Sequence, residues 1–186
     1  PGFVDYERSL NCWNAQYIFN ELPKKNFSDT AQDFPIEPDG EVIWITNPHN
    51  PTGQLWTRNS LEKLVKKYKL LICDEAFLPI ALKGENESLI PLINEYQNII
   101  VVRSLTKLIG IAGLRLGYMI SSHSKLKKLA SKRDPWPLNS FAISAGITIL
   151  SDSKQYYSWE RKIHNWLINE TNFIYKKLSN IKEIKV

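Results

Sequence analysis

The stretch 99-IIVVRSLTKLIGIAGLRLGY-118 contains two apolar runs, with a lysine and an arginine among glycines and small hydroxyl residues. The first run, 99-IIVV-102, is rich in β-branched residues and predicts a buried strand. The second, 114-LRLGYMIS-121, is also strand-like, and the link that follows Lys107 is too short for a crossover helix. The second strand should therefore run antiparallel to the first.

Two further strand-like runs precede this stretch and alternate with helical patterns. The runs 41-EVIWIT-46 and 70-LLICDEAF-77 are short and apolar. Between them, 57-TRNSLEKLVKKYK-69 carries apolar residues at helical spacing. A second helix is expected at about residues 87–97, before the strand at 99–102. This alternation is typical of an α/β fold with a mostly parallel sheet flanked by helices, whose strands are buried on both faces.

Two more helices are expected after the antiparallel strand. The segment 138-LNSFAISAGITILSD-152 is the first, and a long amphipathic helix fills about residues 155–179. The sequence shows neither an internal repeat nor a low-complexity tract. These features predict one α/β unit followed by a long helix.

Composition argues against several classes of protein. Of the 186 residues 43% are apolar and 23% charged, which is ordinary for a globular protein, and no run is apolar enough to predict a membrane helix. The net charge of +5 comes from scattered Lys and Arg residues, which disfavours nucleic-acid binding. Cys12 and Cys73 match no metal-binding spacing, and the three histidines are dispersed. We expect no metal site and two reduced, buried cysteines, as in a cytoplasmic protein.

Polar side chains follow three predicted strands at the point where each strand ends. Asn50, Asp74 and Lys107 come just after the runs that begin at residues 41, 70 and 99. In open α/β sheets, ligands bind at the carboxyl ends of the strands. An amide, a carboxylate and an amine are therefore expected at one site, although Asn50 alone is equally typical of a turn.

The chemistry of these side chains favours a cofactor with a cationic ring, a carbonyl group and a phosphate. The apolar neighbours of Lys107 disfavour its charged form and suit the amine to Schiff-base formation, unless Lys107 is simply a surface lysine, the commonest fate of this residue type. Asp74 would need a cation, such as a protonated pyridine nitrogen, unless it only caps a turn. Arg115, with the hydroxyls of Ser104 and Thr106, suits a phosphate dianion, although an arginine taken alone is more often a surface ion pair.

The motifs NPHNPTG, ICDEAF and RSLTKLIGIAGLRLGY, in this order, resemble the class I/II aminotransferase family of fold-type I pyridoxal-phosphate enzymes. The resemblance implies the aspartate-aminotransferase-like large domain, with pyridoxal 5'-phosphate as cofactor. Residues 1–154 would be part of that domain, and residues 155–186 a long helix leading toward a C-terminal small domain. The chain is then a fragment of a longer protein, and we expect the fragment alone to have little or no activity.

The same resemblance assigns the site residues. Lys107 would form the internal aldimine, Asp74 would pair with the pyridine nitrogen, and Asn50 would donate to the phenolic oxygen. Phe3 would stack on the ring, unless it is a core phenylalanine. The expected phosphate ligands are side chains with hydrogen-bond donors: Ser104, Thr106 and Arg115.

Within the family, three segments favour the threonine-phosphate decarboxylases of cobalamin biosynthesis over the histidinol-phosphate aminotransferases. They are PGFVDYERSL, RDPWPLNSFA, and DEAF, which puts Phe77 where the aminotransferases usually carry a tyrosine. The implied activity is decarboxylation of L-threonine O-3-phosphate. The alternative is transfer of an amino group from histidinol phosphate to 2-oxoglutarate, and a more distant one is a non-catalytic truncated relative. In either enzyme the substrate is a small amino-acid phosphate or its analogue, and the family's usual assembly is a homodimer.

Overall fold

The computed structural model describes residues 2–23, 28 and 30–181. Within them, four strands form one sheet in the order β1-β2-β3-β4. The strands are Val42–Thr46 (β1), Leu70–Asp74 (β2), Ile99–Ser104 (β3) and Gly117–Ser121 (β4). The first three are parallel, and β4 pairs antiparallel with β3. The predicted sheet, mostly parallel with one antiparallel strand, is confirmed.

The described residues form six α-helices and four short 3-10 helices. The α-helices are Asp5–Cys12 (α1), Arg58–Lys67 (α2), Thr106–Ile109 (α3), His123–Ala130 (α4), Ser140–Ser151 (α5) and Ser153–Leu178 (α6). Short 3-10 helices span Leu78–Ile80, Gly84–Glu87, Ile90–Leu92 and Ala112–Leu114. The helices predicted from periodicity at 57–69, 138–152 and 155–179 are confirmed as α2, α5 and α6. The division of the chain at residue 154 stays a prediction.

The main core lies between α2 and one face of the sheet. Thr57 caps α2 by accepting a hydrogen bond from the Ser60 amide at 3.3 Å, which satisfies an amide that has no partner within the helix. The apolar stripe of α2 then packs on alternate strand residues. The buried cluster comprises Leu61, Leu64, Val65 and Tyr68 with Ile43, Ile45, Leu71, Cys73, Ile99 and Val101. In β1 and β2 the buried residues alternate along the strand, which places this core on one face of the sheet.

The opposite face of the sheet is partly open in the described chain. Val42 is 54% exposed and Trp44 is 45% exposed, whereas their neighbours Ile43 and Ile45 are buried. The prediction that the strands are buried on both faces is therefore wrong for β1. The reason is that α2 and the segment before β3 join the same core cluster, while Trp44 on the other face meets Tyr6 of α1.

The helix predicted at residues 87–97 does not form, and that prediction is wrong. The segment instead makes 3-10 turns, and Pro91 has no amide hydrogen for a helical bond. The Glu75 carboxylate also accepts the Leu89 amide at 2.8 Å and the Ser88 hydroxyl at 2.8 Å. These contacts to the end of β2 hold the connection in an irregular path to β3.

The two cysteines have different environments. Cys73 is fully buried in β2, whereas Cys12 is exposed at the end of α1. The prediction that both are buried is wrong for Cys12, because α1 buries none of its residues. None of the described helices combines the length and apolarity needed to cross a bilayer. The described residues also place no three potential ligand side chains where they would hold a metal ion.

Replacing Gly84 with alanine is expected to destabilise the protein by about 1–3 kcal/mol, the usual cost of overpacking. A β-carbon at Gly84 would lie 2.5 Å from the Leu78 carbonyl oxygen and 2.9 Å from the Ala81 β-carbon, so backbone would have to move. Urea unfolding measures the loss. Gly113→Ala is the matched control, since nothing lies within 4 Å of a β-carbon there. Equal unfolding midpoints for the two variants would contradict the prediction.

Candidate active site

A cavity of about 280 Å³ lies at the carboxyl ends of the strands. The parallel register continues past the strand ends, where the Asn47 amide donates to the Asp74 carbonyl and the Glu75 amide to the Val102 carbonyl, both at 2.9 Å. The structure brings together every site residue predicted from the sequence. The cavity is lined by Phe3, Asn50, Asp74, Ser104, Thr106, Lys107 and Arg115.

The loop after β1 is closed by a buried asparagine. The Trp56 amide donates to Asn47 Oδ1 at 2.8 Å, and Asn47 Nδ2 donates to the Trp56 carbonyl at 3.2 Å. Asn47 is fully buried, so these bonds fix both ends of the loop without competition from water. Between those ends, Asn50 is half-buried and lines the cavity.

Both carboxylate oxygens of Asp74 are hydrogen-bonded. Oδ1 accepts from the Ala76 amide at 2.9 Å, and Oδ2 accepts from the Tyr6 hydroxyl. The Tyr6 hydroxyl also lies 3.3 Å from Thr46 Oγ1. Burial, together with the Asp74 carboxylate, raises the pKa of Tyr6, so this hydroxyl keeps its proton and remains a donor.

A buried ion pair joins the ends of β2 and β3. Arg103 and Glu75 side chains are 4% and 0% exposed, and Arg103 Nη2 lies 2.7 Å from Glu75 Oε2. Arg103 also donates to Glu85 at 2.6 Å and to Ser88 at 2.9 Å. Burial raises the pKa of the Glu75 carboxyl. The positive charge of Arg103, and the hydrogen bonds that Glu75 accepts from Leu89, Ser88 and Arg103, partly offset that shift. The pair fixes the residues directly next to Asp74 and Ser104.

Lys107 reaches the cavity from the first turn after β3. Its Nζ lies 5.0 Å from the centre of the Phe77 ring, a cation–π distance, and the side chain is exposed. The prediction that apolar neighbours desolvate this amine is therefore wrong for the described structure. Leu105 and Leu108 are each 2% exposed, since they point into the interior from the other side of α3.

Ser104, Thr106 and Arg115 also line the cavity. Ser104 Oγ and Thr106 Oγ1 are 2.6 Å apart, and the Thr106 amide donates to Ser104 Oγ at 3.2 Å. Arg115 has a positive φ of 55° just before β4, and its Nη1 donates to the Ala112 carbonyl at 3.1 Å. The chain reversal between β3 and β4 thus returns Arg115 to the cavity that Lys107 also lines, as the short link predicts.

Sequence reasoning missed several residues of this cavity. Tyr6, Thr46, Ala76, Leu116 and Gly117 also line it. Phe77, already singled out in the sequence by its place in DEAF, lines the cavity too. Tyr6 had one available signal, because it comes three residues after Phe3, a spacing close to one helical turn. The pairing of Arg103 with Glu75 had none, since a strand arginine and a loop glutamate are each usually exposed.

The arrangement is suited to a small ligand with separate charged groups. A fixed carboxylate can hold a cationic nitrogen, an amine can attack a carbonyl, and a guanidinium with two hydroxyls can bind a phosphate. Phe3 and Phe77 supply aromatic surface at the same cavity. All of these side chains belong to residues that line the same cavity.

Comparison with known proteins agrees with this chemistry. Residues 14–186 match the family described as aminotransferase class I and II. A putative threonine-phosphate decarboxylase from Caldanaerobacter subterraneus subsp. tengcongensis is 32% identical over 89% of this chain and 46% of its own length. Histidinol-phosphate aminotransferase 2 from Haemophilus influenzae is also 32% identical, over 82% of this chain and 43% of its own. The chain spans under half the length of both relatives.

Solved structures share the fold. A histidinol-phosphate aminotransferase from Clostridium acetobutylicum superposes with a TM-score of 0.81 and 23% identity, and the match covers the whole of this chain and 56% of that enzyme's chain. At this identity the match shows the fold alone. A histidinol-phosphate aminotransferase from Sinorhizobium meliloti, in complex with pyridoxal-5'-phosphate, covers 67% of this chain and 35% of its own, with a TM-score of 0.59 and 25% identity. The mostly parallel sheet is thus set in a known architecture.

Proposed function

The chain belongs to the class I and II aminotransferase family, and on that premise we propose that it carries the pyridoxal-phosphate site of an enzyme acting on a phosphorylated amino acid. The observation that carries this proposal is the single cavity around which Asp74, Lys107 and Arg115 converge. These are the three charged groups that such a cofactor needs.

The donor set of the cavity fits pyridoxal 5'-phosphate. The cavity volume of about 280 Å³ is close to the lower end of the range for small-molecule sites, roughly 300 Å³. Asp74 is the acceptor for a protonated ring nitrogen, and Lys107 is the amine through which the cofactor would be attached. Asn50 is the donor for the phenolic oxygen, and Phe3 is the aromatic partner of the ring. The phosphate ligands would be Ser104, Thr106 and Arg115.

The residues of the chain divide the work between binding and proton transfer. When bound, pyridoxal phosphate withdraws electrons from the substrate carbon at which a bond breaks. The Ala76 amide and the Tyr6 hydroxyl fix the orientation of the Asp74 carboxylate at the cavity. Lys107 is the group that gives a proton to the substrate carbon or takes one from it, since its amine faces the cavity above Phe77.

The preferred activity is decarboxylation of L-threonine O-3-phosphate. Which bond breaks depends on which one the site holds in the reactive orientation, so the walls around Lys107 decide between decarboxylation and transamination. Phe77, with a phenyl ring beneath the amine, supports the decarboxylase because it offers no hydroxyl there. The similarity to a putative threonine-phosphate decarboxylase supports the same choice.

The second candidate is a histidinol-phosphate aminotransferase, favoured by an equal identity of 32% to such an enzyme. In that reaction Lys107 would remove the proton from the substrate carbon. A homodimer is the assembly predicted for either enzyme, and the substrate class, a small phosphorylated amine, is shared.

Two parallel assays distinguish these activities. The protein that carries this chain is incubated with pyridoxal phosphate and O-phospho-L-threonine, or with histidinol phosphate and 2-oxoglutarate. We expect carbon dioxide from the first mixture and no consumption of 2-oxoglutarate in the second. Turnover of histidinol phosphate without carbon dioxide release would support the aminotransferase instead, and no turnover of either substrate would contradict both candidates.

A further inference from the structure

Tyr6 is a cavity residue to which none of the sequence motifs assigns a role. It comes from α1, 68 positions before Asp74 in the sequence, yet its hydroxyl donates to Asp74 Oδ2. Its ring packs against Trp44 of β1 with centroids 4.9 Å apart, and against Phe3 at 5.4 Å. One side chain thus touches the sheet, the acidic residue of the cavity and the aromatic residue at its wall.

The hydrogen bonds around Asp74 leave its carboxylate little freedom to rotate. Its Oδ1 accepts the Ala76 amide of its own loop at 2.9 Å. Oδ2 would be free to turn without Tyr6, because Ala76 holds only one oxygen. A tyrosine on a separate helix therefore completes the orientation of an acid on β2.

Thr46 strengthens the case that the Tyr6 proton belongs to Asp74. A phenol has one proton to donate, and the Thr46 hydroxyl at 3.3 Å can in turn donate to the phenolic oxygen. The chain of donors then runs from Thr46 through Tyr6 to the carboxylate, and each bond polarises the next. Thr46 and Asp74 are partners in the register of β1 and β2, so the sheet itself sets this spacing.

We infer that Tyr6 is a positioning residue for the cofactor site, which acts by orienting the Asp74 carboxylate and by packing against the ring of Phe3. This inference rests on the proposed function and deepens it. Tyr6 touches the acid rather than the reacting atoms, so its loss should alter how tightly the cofactor is held and how its absorbance depends on pH. Attachment at Lys107 should persist.

The test compares Tyr6→Phe with the unmodified protein and with Tyr157→Phe, a control at a tyrosine that is 55% exposed. Phenylalanine keeps the packing on Trp44 and Phe3 and removes only the hydroxyl. We expect Tyr6→Phe to weaken pyridoxal-phosphate binding by about 10- to 100-fold, the range found when a hydrogen-bond partner that orients a metal ligand is removed. The pH dependence of the bound cofactor's absorbance should shift, and Tyr157→Phe should change neither quantity.

A double-mutant cycle tests whether Tyr6 acts through the acid. In an Asp74→Asn background, Tyr6→Phe should weaken cofactor binding by less than about threefold, because coupled residues are not additive. Fully additive losses would overturn the inference, as would a Tyr6→Phe variant with unchanged affinity and spectrum. Borohydride labelling of Lys107 separates the two levels of failure. If the unmodified protein takes up no cofactor at Lys107, the proposed function and this inference fail together.

Discussion

In the protein that carries this chain, replacing Lys107 with alanine is expected to lower turnover by about 10²- to 10⁴-fold, the usual contribution of a positioned proton-transfer group. The loss should be large because the other charged groups of the cavity, Asp74 and Arg115, cannot replace an amine as attachment point and proton carrier. Reduction with borohydride followed by peptide mapping measures the attachment directly. The peptide that contains Lys107 should carry the cofactor in the unmodified protein, and the variant should lack this label.

The control for this experiment is Lys127→Ala, at an exposed lysine of α4. It should keep both turnover and the label at Lys107, because it changes the net charge equally and leaves the cavity intact. A Lys107→Ala variant that still shows a borohydride-fixed cofactor at one defined position would contradict the assignment of Lys107.

Replacing Arg103 with methionine is expected to destabilise the protein by about 3–5 kcal/mol, the usual effect of removing one partner from a buried ion pair. Methionine keeps much of the volume but leaves the carboxylate of Glu75, whose side chain is 0% exposed, without its cation. The Ser88 hydroxyl loses a donor as well. Urea unfolding measures the loss, and an unfolding midpoint equal to that of the unmodified protein would contradict the prediction.

The pH dependence of this variant identifies the cause. Burial already raises the pKa of Glu75, and removal of Arg103 raises it further. A raised folded pKa means that a carboxyl costs stability when it is ionised, so the deficit should shrink as the pH falls through that pKa. The matched control is Arg8→Met, which breaks an exposed pair with Asp5 and should change stability little at any pH.

The double variant Glu75→Gln with Arg103→Met separates charge from packing. If the unpaired charge causes the loss, the double variant should be more stable than Arg103→Met alone. Equal losses would mean that the hydrogen bonds to Glu85 and Ser88, rather than the charge of Glu75, hold the ends of β2 and β3.

Local patterns predicted the elements that position the site. Apolar runs predicted β1, β2 and β3, and helical spacing predicted the buried stripe of α2. The short link after Lys107 predicted the reversal into β4. Each of these depends on residues close together in sequence, which is why one sequence sufficed.

Residues 87–97 mark the limit of local reasoning. Their spacing is helical, but Ser88 and Leu89 make hydrogen bonds to Glu75 of the preceding loop. A carboxylate that is buried needs donors, and the free energy of satisfying it outweighs a weak helical preference. Glu75 lies outside residues 87–97, so the spacing of apolar residues within that segment could not reveal this contact.

The sequence by itself determined that Asn50, Asp74 and Lys107 each follow one of three successive parallel strands. Because parallel strands end at the same edge of a sheet, the topology alone brings these three residues together. The tertiary structure decided how those groups are held and exposed. Three contacts join residues that are distant in the chain. They are the hydrogen bond from Tyr6 to Asp74, the ion pair of Arg103 with Glu75, and the cation–π contact of Lys107 with Phe77. Periodicity reports which face of an element is apolar, whereas a hydrogen bond or ion pair exists only when packing brings a particular donor to a particular acceptor.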